Sequence, residues 1–122
     1  MSESIVKIKS FELAVRRVNF YKWFVSEKKE FVISKQFLRS ITSVGANVRE
    51  AVNAQSKPDF IHKLSIAQKE CDESMYWLEI LKETNYISLI EFDSIHQQCK
   101  EVLKIIRSII ITSKRKLITH NS

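Results

Sequence analysis

The scarcity of turn-forming residues is the feature of this sequence that most constrains its fold. The 122 residues include one glycine and one proline. A β-sheet needs turn residues at every hairpin, and glycine and proline are the strongest of these. The chain is therefore expected to form a few long helices joined by short connections. Because this length is typical of one domain, we expect residues 1–122 to form a single domain.

Apolar residues recur at intervals of three and four along the sequence, which is the period of a helix with one buried face. We predict that helix 1 begins at the N-cap Ser10 and runs to about Lys28, after an extended N-terminal arm at residues 1–9. Helix 2 is predicted to begin at the cap Ser34 and to run to about Gln55.

Two capping-box patterns mark the starts of the remaining helices. Ser56-Lys57-Pro58-Asp59 predicts the start of helix 3, which continues to about Thr84. Ser88-Leu89-Ile90-Glu91 predicts the start of helix 4, which ends near Lys116 and leaves residues 117–122 as a C-terminal tail. Since the connections are short, neighbouring helices should be antiparallel. The predicted fold class is an all-α, up-and-down antiparallel four-helix bundle.

Each predicted helix carries one apolar stripe that we expect to form the core. The stripes are Phe11, Ala14, Val18, Tyr21 and Val25 in helix 1; Phe37, Ile41, Val44, Val48 and Ala51 in helix 2; Phe60, Leu64, Ala67, Cys71, Ser74, Leu78 and Leu81 in helix 3; and Phe92, Ile95, Cys99, Val102, Ile106 and Ile109 in helix 4. Gly45 lies within helix 2, where we expect it to allow a close approach by another helix; a tolerated surface glycine is the alternative.

Two segments are apolar on more than one face, which a single bundle does not require. They are Phe20, Tyr21, Trp23 and Phe24 in helix 1, and Ile105, Ile106, Ile109, Ile110 and Ile111 in helix 4. A second buried face indicates contact between subunits. The predicted interface residues are Phe20, Trp23, Phe24, Ile105 and Ile110. A wide core face with a few exposed apolar residues is the alternative.

The chain is basic, with a formal net charge of +6. Such a charge favours an anionic partner, nucleic acid being the commonest, although many basic proteins are merely kept soluble by it. Lys100, Lys104, Arg107 and Lys114 repeat at 4, 3 and 7 residues on one helix face, and Arg115 and Lys116 follow. We predict that these six residues bind nucleic acid through its phosphates rather than its bases. A solvated surface is the alternative.

Two motifs resemble those of a known family. They are Gln36-x-x-Arg39-x-x-x-Ser43-Val44-x-x-Asn47-Val48-x-Glu50 and Ala67-x-x-Glu70-x-x-Glu73-Ser74-x-Tyr76-Trp77-Leu78. Both are similar to motifs of the four helix bundle proteins encoded within intervening sequences of bacterial 23S ribosomal RNA genes. That family is related to the accessory variability determinant of diversity-generating retroelements. The family's glycine after the helix 2 glutamate is Ala51 here, so helix 2 is expected to continue past it.

The resemblance implies a homo-oligomeric helical barrel, with a pentamer as the leading expectation. It also implies association with RNA or with a nucleic-acid enzyme. Independently of it, a polar row lies beside the apolar stripe of helix 2. It is expected to form a structural seam between helices or subunits, because buried polar groups must be paired, and a ligand site is the alternative. The predicted seam residues are Gln36, Arg39, Ser43, Asn47 and Glu50, with Glu70 and Glu73 on helix 3 as partners for Arg39 or Arg49.

No catalytic arrangement is legible, and we expect a protein that is not an enzyme and has no cofactor. Asp59-x-x-His62 and Asp93-x-x-His96 have the spacing of bundle metal sites, but they begin antiparallel helices and so lie at opposite ends. We therefore expect no metal. The two cysteines are too few for a disulfide framework, and the N-terminus lacks a signal-peptide core. A cytoplasmic location is expected.

Two functions are compatible with these features. The first is a basic homo-oligomer that binds nucleic acid, RNA more than DNA. The second is an oligomeric scaffold that holds a protein partner such as a reverse transcriptase.

Overall fold

The computed structural model describes residues 2–121, with side chains from Glu3 to Thr119. They form four helices, α1 (Ser2–Lys28), α2 (Ile33–Val52), α3 (Lys57–Glu83) and α4 (Leu89–Asn121), with no strand in this range. Each helix packs against the next along the chain, and α4 returns to α1 along the loosest seam of the four. The predicted all-α four-helix bundle is confirmed.

Serine side chains cap α3 and α4 as predicted. The Ser56 hydroxyl accepts a hydrogen bond from the Asp59 N–H at 3.2 Å, and Pro58 occupies the first turn of α3. At α4 the exchange is reciprocal: the Ser88 N–H donates to Glu91 Oε1 at 2.9 Å, and the Glu91 N–H donates to Ser88 Oγ at 3.1 Å. These bonds satisfy amide groups that have no partner within the helix.

The start of α2 is capped by a glutamate, so the prediction of Ser34 as the cap is wrong. The carboxylate of Glu30 accepts hydrogen bonds from the N–H groups of Val32, Ile33 and Ser34 at 3.0, 2.8 and 2.8 Å. The Ser34 hydroxyl instead donates to the Glu30 carbonyl at 2.8 Å. Burial opposes the charge on Glu30, but these N–H groups outweigh it and lower the pKa of the carboxyl.

The connection after α3 is an asparagine-terminated helix end. Asn85 adopts a left-handed conformation with φ 65°. The Tyr86 N–H donates to the Leu81 carbonyl at 2.9 Å, and the Asn85 N–H donates to the Lys82 carbonyl at 3.0 Å. This pair of bonds is the Schellman motif, which uses carbonyls that the helix leaves free.

Both predicted terminal extensions are helical instead. The N-terminal arm predicted at residues 1–9 belongs to α1 from Ser2 onward, and the tail predicted from residue 117 belongs to α4 as far as Asn121. Both extensions are held by packing, because Val6 is buried in the core and Leu117 packs against it. Met1 and Ser122 lie outside the described residues. Helix α2 ends at Val52, before the predicted Gln55.

The apolar stripe predicted for helix 1 is also wrong, because none of its five residues is fully buried and Phe11 is 55% exposed. The buried face of α1 is rotated by about one residue, roughly 100°, from the predicted stripe, and it includes two polar side chains. Its members are Val6, Ser10, Leu13, Arg17 and Phe24. The stripes predicted for the other three helices are all buried.

Gly45 lies where α1 and α2 come close together. A Cβ atom at this position would be 3.3 Å from the carbonyl oxygen of Ser10, which is closer than ordinary van der Waals contact. Ser10 is itself small and buried, and its hydroxyl donates to the Lys7 carbonyl at 3.2 Å. The expected close approach is confirmed, and α1 is the helix that makes it.

Candidate nucleic-acid interface

Five cations lie along one exposed side of α4, and we call this surface the basic face. Its residues are Lys100, Lys104, Arg107, Lys114 and Arg115, all of which are exposed. An α-helix turns by about 100° per residue, so these positions fall within roughly a third of its circumference. Lys116 is exposed as well, but the same geometry turns it about 100° away from Arg115.

The basic face is poorly neutralised by the rest of the chain. Residues 97–119 contain six cations and one acid, Glu101. The Glu101 carboxylate forms an ion pair with the ammonium of Lys9 on α1. Within the described part of the chain, the five cations of the basic face take part in no ion pair. Their charge is therefore directed to solvent and to whatever binds there.

The surface between these cations is a shallow depression built on a single helix. Lys100, Lys104, Arg107 and Arg115 border it, and Ile111, which is 50% exposed, lies among them. No second element closes it. Such an open strip does not enclose a small molecule, but it can lie along an extended polyanion.

The predicted polar seam joins α2 to α3. Arg39 Nη2 donates to Glu73 Oε1 at 2.9 Å, and Arg39 Nη1 lies 3.6 Å from Glu70 Oε2. The indole N–H of Trp77 also donates to Glu73 Oε1, at 3.3 Å. Burial, followed by the charge of Glu73, raises the pKa of Glu70. Burial also opposes the charge on Glu73, but Arg39 and Trp77 outweigh it and lower that pKa.

The remaining seam residues contact partners that are nearer in the sequence. Asn47 Nδ2 donates to the carbonyl and the hydroxyl of Ser43 at 2.9 and 3.1 Å, and Glu50 pairs with Lys63 of α3 at 3.8 Å. Gln36 Oε1 lies 3.5 Å from Arg39 Nε. The row therefore works chiefly as a set of bonds within α2 and between α2 and α3.

The model of the family described as 23S rRNA-intervening sequence protein matches residues 2–108. The chain belongs to this family. A solved structure of a protein of unknown function from the S23 ribosomal protein family of Bacteroides thetaiotaomicron is 55% identical to it. That similarity covers 90% of this chain and 98% of the other, with a TM-score of 0.88. No curated protein matches the chain.

The range matched by the 23S rRNA-intervening sequence protein family includes only part of the basic face. The matched range includes Lys100, Lys104 and Arg107 but ends before Lys114. The last cations therefore belong to the part of α4 beyond the match. The family resemblance drawn from the two motifs is confirmed, while neither comparison assigns a function, enzymatic or otherwise.

The predicted subunit interface is partly wrong. Phe24 and Ile110 are buried within the single chain, because the wide apolar face of each helix is core. Their side chains therefore have almost no surface left for contact with another subunit. Phe20 and Ile105 are half-buried and pack against the core, whereas Trp23 is 45% exposed. An interface role for these three residues remains a prediction.

Sequence reasoning missed two polar contacts in the interior. The hydroxyls of Ser40 and Ser74 lie 2.9 Å apart between α2 and α3, both fully buried. Arg17, on the buried face of α1, donates from Nη2 to Gln98 Oε1 of α4 at 3.0 Å. No local pattern indicates either contact, because both join residues on different helices.

The two cysteines are buried thiols in contact across α3 and α4. Cys71 Sγ donates to the Cys99 carbonyl at 3.4 Å. Burial raises the pKa of the Cys71 thiol well above its usual range and that of Cys99 to about 12. In the described residues, no three His, Cys, Asp or Glu side chains form a group that could hold a metal. None of the helices, over the same residues, is long and apolar enough to span a membrane.

Proposed function

We propose that this protein is a basic homo-oligomer that binds RNA through phosphate contacts on the basic face. The observation that carries the proposal is the row of five exposed cations without ion-pair partners on one side of α4. A cation that is not neutralised by its own chain releases counterions from a polyanion when it binds a phosphate. The row spans about 22 Å from Lys100 to Arg115, at a rise of about 1.5 Å per residue.

The binding is expected to be tolerant of sequence. No aromatic residue occurs between positions 97 and 119, so the face offers no ring on which a base could stack. Lysine and arginine on an open helix surface contact phosphates, which carry no direct sequence information. We favour RNA over DNA because the family is named for the intervening sequences of 23S ribosomal RNA.

Oligomerisation, with a pentamer as the leading expectation, would repeat the basic face in each subunit and increase its avidity. Exposed apolar side chains on α1 support contact between copies. Ile8, Phe11 and Val15 are spaced by three and four residues and are all exposed. We also propose a cytoplasmic location, since the two cysteines are free and that compartment keeps thiols reduced.

The charge-reversal pair Lys104→Glu and Arg107→Glu tests the role of the basic face. RNA affinity is expected to fall more than tenfold at low salt, and the slope of log affinity against log salt should decrease by about 1.4 to 1.8, or about 0.7 to 0.9 per contact. The matched control is Lys22→Glu with Lys35→Glu, which changes net charge equally on other exposed surfaces. Equal losses in the two pairs would show that only net charge matters.

Light scattering on the purified protein tests the assembly. A particle of several subunits is expected, and Phe11→Glu should reduce its size because it puts a charge into the exposed apolar row of α1. A monomeric wild-type protein would refute the oligomer and the avidity that depends on it.

A second function, a scaffold for a protein partner such as a reverse transcriptase, is favoured by one observation. The loops α1–α2 and α3–α4 lie at the same end of the bundle, where the rings of Phe24 and Tyr86 are 6.1 Å apart. That end exposes Phe31, Val32, Leu89 and Ile90. An oligomer that is indifferent to RNA but binds the partner through these residues would favour the scaffold.

A further inference from the structure

Arg17 is a buried cation that forms no ion pair with any carboxylate of the described residues. The residue is 3% exposed, yet it lies on the core side of α1. Arginine is almost never fully buried unless it is paired. Burial, and then the neighbouring Arg16, lower its pKa to about 10, so the guanidinium still carries its charge at neutral pH.

The contacts of Arg17 are neutral. Nη2 donates to the amide oxygen of Gln98 at 3.0 Å, and the guanidinium carbon lies 5.9 Å from the centre of the Phe20 ring. The Nε atom is buried and has no hydrogen-bond partner. In the described residues no carboxylate forms an ion pair with Arg17. Buried donors are normally paired, so this Nε–H is available to a group that binds beside Arg17.

Arg17 lines a cleft between α1 and the first turns of α4. The cleft is open to solvent and has a volume of about 510 Å³, enough for a phosphate group at its base. Its other walls are Arg16, Asn19, Phe20, Ile90, Ser94 and Ile95, with Glu91. Arg16 is exposed and adds a second positive charge, while the amide of Asn19 and the hydroxyl of Ser94 can donate hydrogen bonds.

Glu91 is the one acid that lines the cleft, and its charge offsets one of the two guanidinium groups there. Glu91 Oε1 accepts the Ser88 N–H at 2.9 Å as part of the capping box. The first turn of α4 also presents the positive end of the helix dipole to this region. Two guanidinium groups and a helix N-terminus together favour a doubly charged oxyanion over a single carboxylate.

We propose that the cleft between α1 and α4 binds a phosphate group, with Arg17 as the buried ligand and Arg16 at the entrance. The phosphate supplies the counter-charge that Arg17 does not find among the described residues. The apolar side chains of Phe20, Ile90 and Ile95 contact the group to which the phosphate is attached. This site is distinct from the basic face, and it does not depend on the proposed RNA binding there. The phosphate can be free, or it can be the terminal phosphate of a nucleic acid.

A calorimetric titration tests the site, in which inorganic phosphate is added to the full chain at constant ionic strength. The wild type is expected to bind at millimolar concentration or tighter, and Arg17→Met should weaken binding at least tenfold. Lys22→Met removes one exposed cation that belongs to neither the cleft nor the basic face and is the matched control, so it should change phosphate affinity less than twofold. No binding by the wild type, or equal losses in both variants, would overturn the proposal.

Arg17→Lys keeps the charge and replaces only the planar guanidinium, which provides a second test if Arg17→Met does not fold. It should weaken phosphate binding while leaving the helical circular dichroism unchanged, and unchanged affinity would contradict the role of Arg17.

The source of the phosphate is resolved with two oligoribonucleotides. An Arg17-dependent preference for a 5′-phosphate over a 5′-hydroxyl end identifies a nucleic-acid terminus, and equal affinity identifies free phosphate. The Lys104→Glu and Arg107→Glu pair should weaken RNA binding without affecting inorganic phosphate, which separates this site from the basic face.

Discussion

Replacing Glu30 by alanine is expected to destabilise the bundle by about 2 kcal/mol. The carboxylate accepts three backbone N–H groups at the start of α2, at 3.0, 2.8 and 2.8 Å. Loss of a helix cap costs about 0.5–2 kcal/mol, and a hydrogen bond to a charged group contributes about 1.5–3 kcal/mol. The total lies below the sum of three such bonds, because water can reach the N–H of Val32, which is exposed, more easily than that of Ser34, which is buried.

Urea unfolding followed by circular dichroism measures this loss. In a domain of this size, about 2 kcal/mol corresponds to a decrease in Tm of roughly 6–8 °C. Glu30→Gln keeps the size and one acceptor but loses the charge, so it should lose about 1 kcal/mol. Glu27→Ala removes an exposed carboxylate from α1 and is the matched control, with an expected change below about 0.5 kcal/mol.

The same contact predicts a dependence on pH. The pKa of Glu30 is lowered in the folded state, so its contribution is fully present above the carboxyl pKa of the unfolded chain. The contribution should disappear as the pH falls through the folded pKa, because the protonated carboxyl is a poorer acceptor. The difference in stability between wild type and Glu30→Ala should therefore shrink in acid. A constant difference, or one no larger than that of Glu27→Ala, would refute the assignment of the cap.

Three further outcomes follow from interior contacts. Ser40→Ala and Ser74→Ala should each cost about 1 kcal/mol in urea unfolding but less together than their sum, and simple additivity would contradict the contact between their hydroxyls. An aromatic disulfide reagent should label Cys71 and Cys99 only in urea, since both thiols are buried with raised pKa values; labelling of the native protein at the rate of free cysteine would disprove this. Gly45→Val should destabilise by about 1–3 kcal/mol through overpacking, and a stabilised variant would show that α1 can move aside freely.

Helices α2, α3 and α4 could be predicted because their buried faces are almost entirely apolar or small. Periodicity then identifies both the element and the side that faces the core. Helix α1 could be recognised but not oriented, since Ser10 and Arg17 occupy its buried face. The apolar stripe that begins at Phe11 gives a cleaner pattern, yet it lies one residue away from the buried one. Only the positions of the neighbouring helices decide between the two.

The candidate sites differ in the same way. The basic face could be predicted from spacing alone, because lysine and arginine on the side opposite an apolar stripe are exposed by default. The proposed phosphate cleft could not, since it depends on how far α1 lies from α4 and on which side chains of α4 face Arg17. The cap formed by Glu30 could not be predicted either, because the usual signal is a serine, threonine, aspartate or asparagine directly before the helix.

The contact between Gly45 and the backbone of Ser10 has a consequence for the opposite side of α1. Helix α1 contacts both α2 and α4, so a displacement of α1 that begins at Gly45 also acts on its contact with α4. The distance between α1 and α2 at this contact requires that residue 45 have no side chain larger than the hydrogen atom of glycine. A larger residue at position 45 is expected to displace α1, the helix that carries Arg17, although Gly45 does not line the cleft. A substitution in the middle of α2 is therefore expected to affect the cleft without altering any residue that lines it.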